Sequence, residues 1–351
     1  MKKKILVTGG CGFIGSHTIT LLLKIGFQIV VIDSNINSSI KVLDKIKFIA
    51  GKYENNPVDN LNFYKGDLRD FNFLDSVFKK ENQKDEQIIF VIHFAGLKSV
   101  SDSNNLPINY WDNNIFGTIN LIKIMEKYNC RSIIFSSSAT VYDSKEISIF
   151  KEIDSTYPLN PYGNTKLAIE KMLKDVFESS SSKWKIACLR YFNPVGAHRS
   201  GLLGEDPKGT PNNIFPILNN VAAGCEKKFK VFGGDWETED GTCIRDYIHV
   251  LDLAEGHLKI LEHLLNGPAK FLIMNIGTGK GTSVLQLIKT FEEVNDLKIP
   301  FIITKRRKGD RGVIIADNKL SKEMLNWVPK MTLQDMCRDA WKWKKLNPKG
   351  Y

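Results

Sequence analysis

The sequence predicts an α/β fold: a doubly wound parallel sheet with a second, smaller C-terminal α/β lobe. Three observations carry this. Five short apolar segments recur, each followed by a longer helix-like or loop stretch; a glycine-rich turn follows the first of them; and from about residue 193 prolines and glycines break the pattern. Segments rich in Ile, Val and Phe and nearly unbroken in hydrophobicity are those of parallel strands covered on both faces.

In chain order the strands are KILVT (4–8), QIVVID (28–33), IIFVIHF (88–94), SIIFSS (132–137) and KIACLRYF (185–192). After the first, a helix is expected to open at Ser16 and stop at Gly26, with apolar positions near helical spacing. The segments NNIFGTINLIKIMEKY and TKLAIEKMLKDVF are amphipathic, whereas residues 39–60 and the serine run 179–182 read as surface connections. Pro194, Pro207, Pro211, Pro216 and the stretch GGDWETEDGT then imply loops and short elements. The expected division is a dinucleotide-binding domain at 1–192 and a substrate domain at 193–351, with chain interleaving around 235–255. There is no internal repeat.

A chain of 351 residues is long for one core, which agrees with two domains. Its 42% hydrophobic and 25% charged content is that of a globular protein. The net charge of +10 comes from lysines scattered along the chain, with no basic helix and no aromatics interleaved with arginine, so nucleic acid is not an expected partner. Six cysteines form no C-x-x-C pair and read as free thiols of a reducing compartment; six histidines show no metal-ligand spacing, so no metal is expected. Glycines interrupt the apolar start MKKKILVTGGCGFIG, which argues against a signal peptide, and no later run is long enough to span a bilayer. The expectation is a soluble, cytoplasmic protein with no membrane partner.

Gly9, Gly12 and Gly15 stand directly after the first strand and before a helix. Glycines there permit a tight turn, let the backbone approach a pyrophosphate and let helix and strand pack closely, the Rossmann-like arrangement. Asp33 ends the second strand at about the ~20-residue spacing that puts a carboxylate on ribose hydroxyls. It would repel a 2'-phosphate, so the expected cofactor is NAD rather than NADP. In PYGNTK, Tyr162 and Lys166 lie one helical turn apart. Alone they would be an exposed aromatic and an exposed cation.

Together, the glycine turn, the serine-rich strand end SSSATVY and Tyr-x-x-x-Lys resemble the extended short-chain dehydrogenase/reductase superfamily. The segments HFAGLKSV, YWDNNIFGT, FSSSATVY, LRYFNPVGAH, GTPNNIFP, GTCIRDYIHV and RRKGD look like those of its UDP-glucose 4-epimerase family, over essentially the whole chain. The resemblance implies NAD-dependent interconversion of UDP-glucose and UDP-galactose: oxidation at C4, turning of the keto sugar, and return of hydride to the other face. Tyr162 would be the base, Ser138 would hold the sugar 4-hydroxyl, and Lys166 would grip the nicotinamide ribose and tune Tyr162. A free tyrosine titrates near ~10, and lowering it by about three units takes roughly 4 kcal/mol of differential stabilisation, expected from the Lys166 ammonium and the nicotinamide ring.

On the cofactor side the resemblance carries over Phe13, Ile14, Asn37, Ser38, Asp67, Leu68, Phe94, Ala95, Lys98, Asn113, Tyr191 and Phe192. On the substrate side it implies that Asn193, Asn213, Ile214, Phe232, Arg245, Arg307 and Asp310 contact UDP, the guanidinium groups suiting phosphate oxygens. Many relatives pair as homodimers through two helices, here segments 107–127 and 162–178.

Two positions depart from the family pattern. Asp143 replaces the usual glycine after SSSATVY, and Ile314 stands where relatives carry a large Tyr or a small Cys lining the sugar pocket. An intermediate residue shifts selectivity by only about 1–3 kcal/mol, which implies weaker activity on UDP-N-acetylhexosamines. A nucleotide-sugar 4,6-dehydratase would need an Asp-Glu just after the strand-end serine, where this chain has Ala139 and Thr140. A non-catalytic NAD sensor would be expected to lack the tyrosine or the lysine, and a plain sugar dehydrogenase would exchange its cofactor.

Overall fold

A computed structural model of the chain describes residues 3–52, 60–83, 86–142, 148–180, 183–307 and 310–351. Asp143 and Ser181–Ser182 of the serine run lie outside the described residues. The chain divides into two compact units: residues 1–143, 156–190 and 254–274, and residues 144–155, 191–253 and 275–351. The break at 190/191 lies beside the expected one, but the interleaved stretches are 144–155 and 254–274 rather than about 235–255. The reason is topological: Lys270–Ile276 joins the large sheet, bringing residues 254–266 of the preceding helix, Val250–Asn266, with it.

The large sheet has seven strands: β1 (Lys3–Thr8), β2 (Gln28–Asp33), β3 (Leu61–Lys65), β4 (Gln87–His93), β5 (Ser132–Ser138), β6 (Lys185–Tyr191) and β7 (Lys270–Ile276). Their spatial order is β7-β6-β5-β4-β1-β2-β3. β1 pairs in parallel with both β2 and β4, so the winding reverses between β1 and β4. Loops leaving the carboxyl ends of those two strands diverge and leave the crevice where doubly wound sheets bind ligands.

The helices include α1 (Phe13–Lys24), α2 (Val42–Ala50), α3 (Phe71–Glu81), α4 (Val100–Asn105), α5 (Pro107–Tyr110), α6 (Gly117–Lys127) and α7 (Pro161–Ser179), with a π-helical turn at Trp111–Phe116 ahead of α6. α1 opens at Phe13 rather than Ser16, because Gly12 is its N-cap, so Gly15 lies inside its first turn. α2 replaces part of the expected surface connection. It forms because Val42, Leu43, Ile46 and Ile49 recur at helical spacing and bury one face.

Each unit has its own core. In the first, Leu6, Val30, Val91, Phe78, Phe135, Leu121 and Trp184 are among the residues buried between sheet and helices. In the second, Phe215, Leu218, Phe229, Val231, Phe291 and Met336 pack together. Each fully buried aliphatic or aromatic side chain of this kind contributes about 1.5–3 kcal/mol. The second unit holds a four-stranded sheet and two two-stranded parallel sheets, the pairs being Tyr247–His249 with Asn193–Val195 and Phe301–Thr304 with Phe229–Phe232.

Candidate active site

At the switch point, Gly9 has φ 68°, a conformation natural to glycine. A Cβ there would stand 2.7 Å from the backbone N of Ala95 and 2.9 Å from its Cα. β1 and β4 end side by side here, with Phe94 N donating to Thr8 O at 3.0 Å. At Gly15 a Cβ would lie 2.6 Å from Gly9 O and 2.8 Å from Gly10 Cα. The turn is thus a backbone surface that side chains would fill, leading into a helix with no acid in its first turn and no side-chain cap. Phe13 and Ile14 are that helix's first two residues. This surface fits a pyrophosphate.

Asp33, at the end of β2, is buried. Its Oδ2 accepts from Cys11 N at 2.9 Å, and its Oδ1 accepts from Asn35 N at 2.8 Å and Ser38 Oγ at 2.9 Å. The carboxylate therefore ties the glycine turn to the 33–38 loop. Asn37 is exposed in that loop and Ser38 is buried. Burial, then the charge of Asp33, pushes the Cys11 thiol up to about 12, so it stays protonated.

Asp67 accepts from Arg69 through both oxygens, Nε to Oδ1 at 3.0 Å and Nη2 to Oδ2 at 2.7 Å, and the hydrogen bonds from Arg69 hold its carboxyl below the usual range. Arg69 also donates to Asp112. Leu68 is buried beside Gly117. After β4, the Phe94 ring lies 4.9 Å from that of His257, and Lys98 is exposed. Asn113 sits in the π-helical turn and donates to Asn109 O at 2.8 Å.

Ser138 ends β5, and its Oγ accepts from Thr140 N at 3.2 Å and Thr140 Oγ1 at 3.0 Å, which leaves its own proton to donate. Helix α7 starts at Pro161, after an Asn160 cap that accepts from Gly163 N at 2.9 Å. Gly163 lets the first turn press against β5's end, since a Cβ there would lie 2.8 Å from Thr140 O. The approach brings the half-buried Tyr162 into hydrogen bonding with Ser138. One turn on, Lys166 is buried; its Nζ donates to Ser136 O at 2.6 Å and lies 5.8 Å from the Tyr162 ring centroid. Burial lowers Lys166 to about 7 and raises Tyr162 to about 12, only partly offset by the Ser138 bond. The expected lowering of the phenol by the Lys166 ammonium and a nicotinamide ring belongs to the loaded site; in the chain by itself burial dominates.

In the second unit Tyr191 and Phe192 are buried, and Asn193 donates through N and Nδ2 to Asp246 O, each at 3.0 Å. Asn213 stands at the N-cap position of the helix Ile214–Ala222, where its side chain makes no cap bond and instead donates through Nδ2 to Glu205 Oε1 at 2.5 Å. The Arg307 guanidinium lies 4.7 Å over the Phe232 ring, and its Nε donates to Asp310 at 2.8 Å. Arg245 is in register with Ile314 on paired strands and donates to Ile244 O at 2.9 Å. Among the described residues no cluster of potential metal ligands occurs and no helix is long and apolar enough to cross a membrane.

Residues 5–277 match the model of the NAD dependent epimerase/dehydratase family. The chain belongs to that family. It is 47% identical to the UDP-glucose 4-epimerase of Bacillus subtilis (strain 168), over 99% of this chain and 98% of the other. The UDP-glucose 4-epimerase of Bifidobacterium longum, solved in complex with NAD+ and UDP, superposes with a TM-score of 0.92 at 44% identity, covering 99% of this chain and 100% of that one. The UDP-Glc/GlcNAc 4-epimerase of Campylobacter jejuni matches with a TM-score of 0.82 at 32% identity, covering 98% and 99%.

The structure of this epimerase/dehydratase family member adds residues that sequence reading missed. Buried Asn114, beside Asn113, accepts from Leu97 N at 2.8 Å and donates to Thr165 Oγ1 at 3.0 Å, joining the loop after β4 to α7. His93 bonds Thr8 through Nδ1 and Thr118 through Nε2 at 2.6 and 2.9 Å, and burial lowers it to about 3, so it stays neutral. Glu170, one turn past Lys166, forms a buried two-point ion pair with Arg190 at 3.0 and 2.7 Å. A carboxylate one turn beyond the Tyr-x-x-x-Lys pair on the helix face was the available signal for Glu170.

Proposed function

We propose that this chain interconverts UDP-glucose and UDP-galactose, oxidising C4 of the sugar to a ketone and reducing it again from the other face, with NAD as its cofactor. The observation that carries the reading is Tyr162 brought against Ser138, with Lys166 buried behind it. Gly9, Gly12, Gly15 and the first turn of α1 would hold the pyrophosphate, Asp33 and Ser38 the adenosine ribose, and Asp67 and Leu68 the adenine. Phe94, Ala95, Lys98, Asn113, Tyr191 and Phe192 would complete that side. Bound there, the dinucleotide supplies an acceptor for the C4 hydride and a positive ring charge.

A phenol near 12 is a poor base at neutral pH, so the cationic state of the site is what makes Tyr162 competent. Tyr162 removes the proton of the 4-hydroxyl, holds it, and returns it to the same oxygen. Ser138, with both lone pairs taken by Thr140, donates to that oxygen and keeps it aligned. Lys166 holds its ammonium at the ribose, where added positive charge also steadies a phenolate. Arg245, Arg307 and Asn193 would grip the diphosphate and uridine while the sugar turns. Ile314 would narrow the sugar pocket enough to make UDP-N-acetylhexosamines the weaker substrates.

We also read the protein as a cytoplasmic homodimer. Leu106, Ile108, Trp111 and Phe116 are 54%, 75%, 42% and 46% exposed along neighbouring turns, an apolar surface suited to a second copy. The test of function is incubation of purified protein with UDP-galactose and no added NAD, following UDP-glucose by chromatography. Product is expected; its absence, in protein whose denaturation releases NAD, overturns the reading.

A further inference from the structure

We propose that Asp246 is the positioning residue of the second unit, its buried carboxylate anchoring the backbone on which Asn193, Arg245 and Ile314 are held in the register that receives a uridine diphosphate. This rests on the assignment of those three residues to the substrate, made above. Asp246 is fully buried between the strands Ile244–Arg245 and Tyr247–His249. Its Oδ1 accepts from Thr278 N at 2.8 Å and Thr278 Oγ1 at 2.6 Å, and its Oδ2 from Gly279 N at 2.9 Å and Ala316 N at 3.2 Å. Four uncharged donors meet the four lone-pair directions of one carboxylate. Gly277 is required beside it, because a Cβ there would lie 2.7 Å from Oδ2 and 2.6 Å from the Ala316 side chain.

The backbone of the same residue reaches the substrate-side positions directly. Asp246 N donates to Ile314 O at 3.1 Å, and Asp246 O accepts both the N and the Nδ2 of Asn193 at 3.0 Å. Arg245 precedes it in the chain and is paired in register with Ile314. The carboxylate therefore anchors Asp246 to the 278–279 loop and, through Ala316 N, to the strand of Ile314, and the backbone of Asp246 so anchored holds Asn193 and Ile314. None of these contacts involves the glycine turn or Asp33. Burial of a carboxylate against neutral donors is costly, and an acceptor-only group is what two backbone N–H groups on one oxygen demand.

The test compares wild type, Asp246→Asn, Thr278→Val and Thr278→Ser as full chains. UDP affinity is measured by calorimetry, NAD by its release on denaturation, and kcat and KM with UDP-galactose. In Asp246→Asn the amide must face at least one backbone N–H without accepting from it, and UDP binding is expected to weaken by about tenfold or more. KM should rise with it while kcat at saturation and NAD content stay near wild type. Thr278→Val should weaken UDP by about threefold, and Thr278→Ser should restore it. If Asp246→Asn does not fold, Thr278→Val decides. UDP affinity within about twofold of wild type in the variants, alongside a lowered Tm, overturns the proposal and leaves Asp246 a purely structural group. Failure of wild type itself to bind UDP counts instead against the substrate assignment.

Discussion

The first and second units hold their expected binding residues by different means. Around the glycine turn the geometry is set by backbone: missing Cβ atoms at Gly9 and Gly15 and a carboxylate, Asp33, occupied by two backbone N–H groups and one hydroxyl. In the second unit two of the expected residues are held by side chains, Arg307 by Asp310 and the Phe232 ring and Asn213 by Glu205, while Arg245 rests on the backbone carbonyls of Ile244 and Gly312. A backbone cradle needs no rearrangement to take its ligand. An ion-paired arginine such as Arg307 would have to share or exchange its partner to take the proposed diphosphate, and its partly exposed ion pair is open to salt. The difference suits a cofactor that stays and a substrate that comes and goes.

The largest expected effect is on the proposed chemistry. Tyr162→Phe removes the proton carrier, and activity should fall by about 10²–10⁴-fold with NAD content and Tm unchanged; full activity would remove Tyr162 from its role. Next comes the cradle: Gly15→Ala drives a Cβ to 2.6 Å from Gly9 O, so we expect a destabilisation of about 1–3 kcal/mol by denaturant unfolding and protein that releases little NAD. In the substrate half, Arg307→Lys keeps the charge but loses the planar stack on Phe232, and KM for UDP-galactose should rise by roughly tenfold with NAD retained. Rising salt should increase wild-type KM in the same selective way.

The smallest effect is on stability against pH. His93 and His198 are both lowered by burial, to about 3 and about 4, whereas in the unfolded chain they titrate near ~6.5. The unfolded state thus binds more protons between those values, so stability falls as pH drops from about 6.5 towards 4. Differential scanning fluorimetry should give a lower Tm at about pH 4.5 than at pH 7; an unchanged Tm would contradict neutral buried histidines.

Five of the seven strands of the large sheet, the glycine turn and the Tyr162–Lys166 pair were legible because each is a local pattern. What escaped was non-local or lacked pattern. β3 is an edge strand whose Asn62 and Lys65 interrupt any apolar run, and only Leu61 of its five residues is fully buried. β7 has an apolar run, but it rejoins the sheet after a long excursion through the other unit. α2 carried a helical period that its polar neighbours obscured. In the site, Asn114 with Thr165, Glu170 with Arg190 and Asp246 with Thr278 are contacts between residues far apart in the chain, which a single sequence does not pair. The raised Tyr162 and lowered Lys166 follow from burial, which only the fold reveals.

In the proposed cycle hydride leaves C4 and returns to C4 within one site, the cofactor staying bound throughout. The most direct test is UDP-galactose deuterated at C4, converted in a large excess of unlabelled NAD and NADH, with the product read by mass spectrometry. UDP-glucose that retains the deuterium at C4 is expected; UDP-glucose carrying protium there would show that the hydride had left the site.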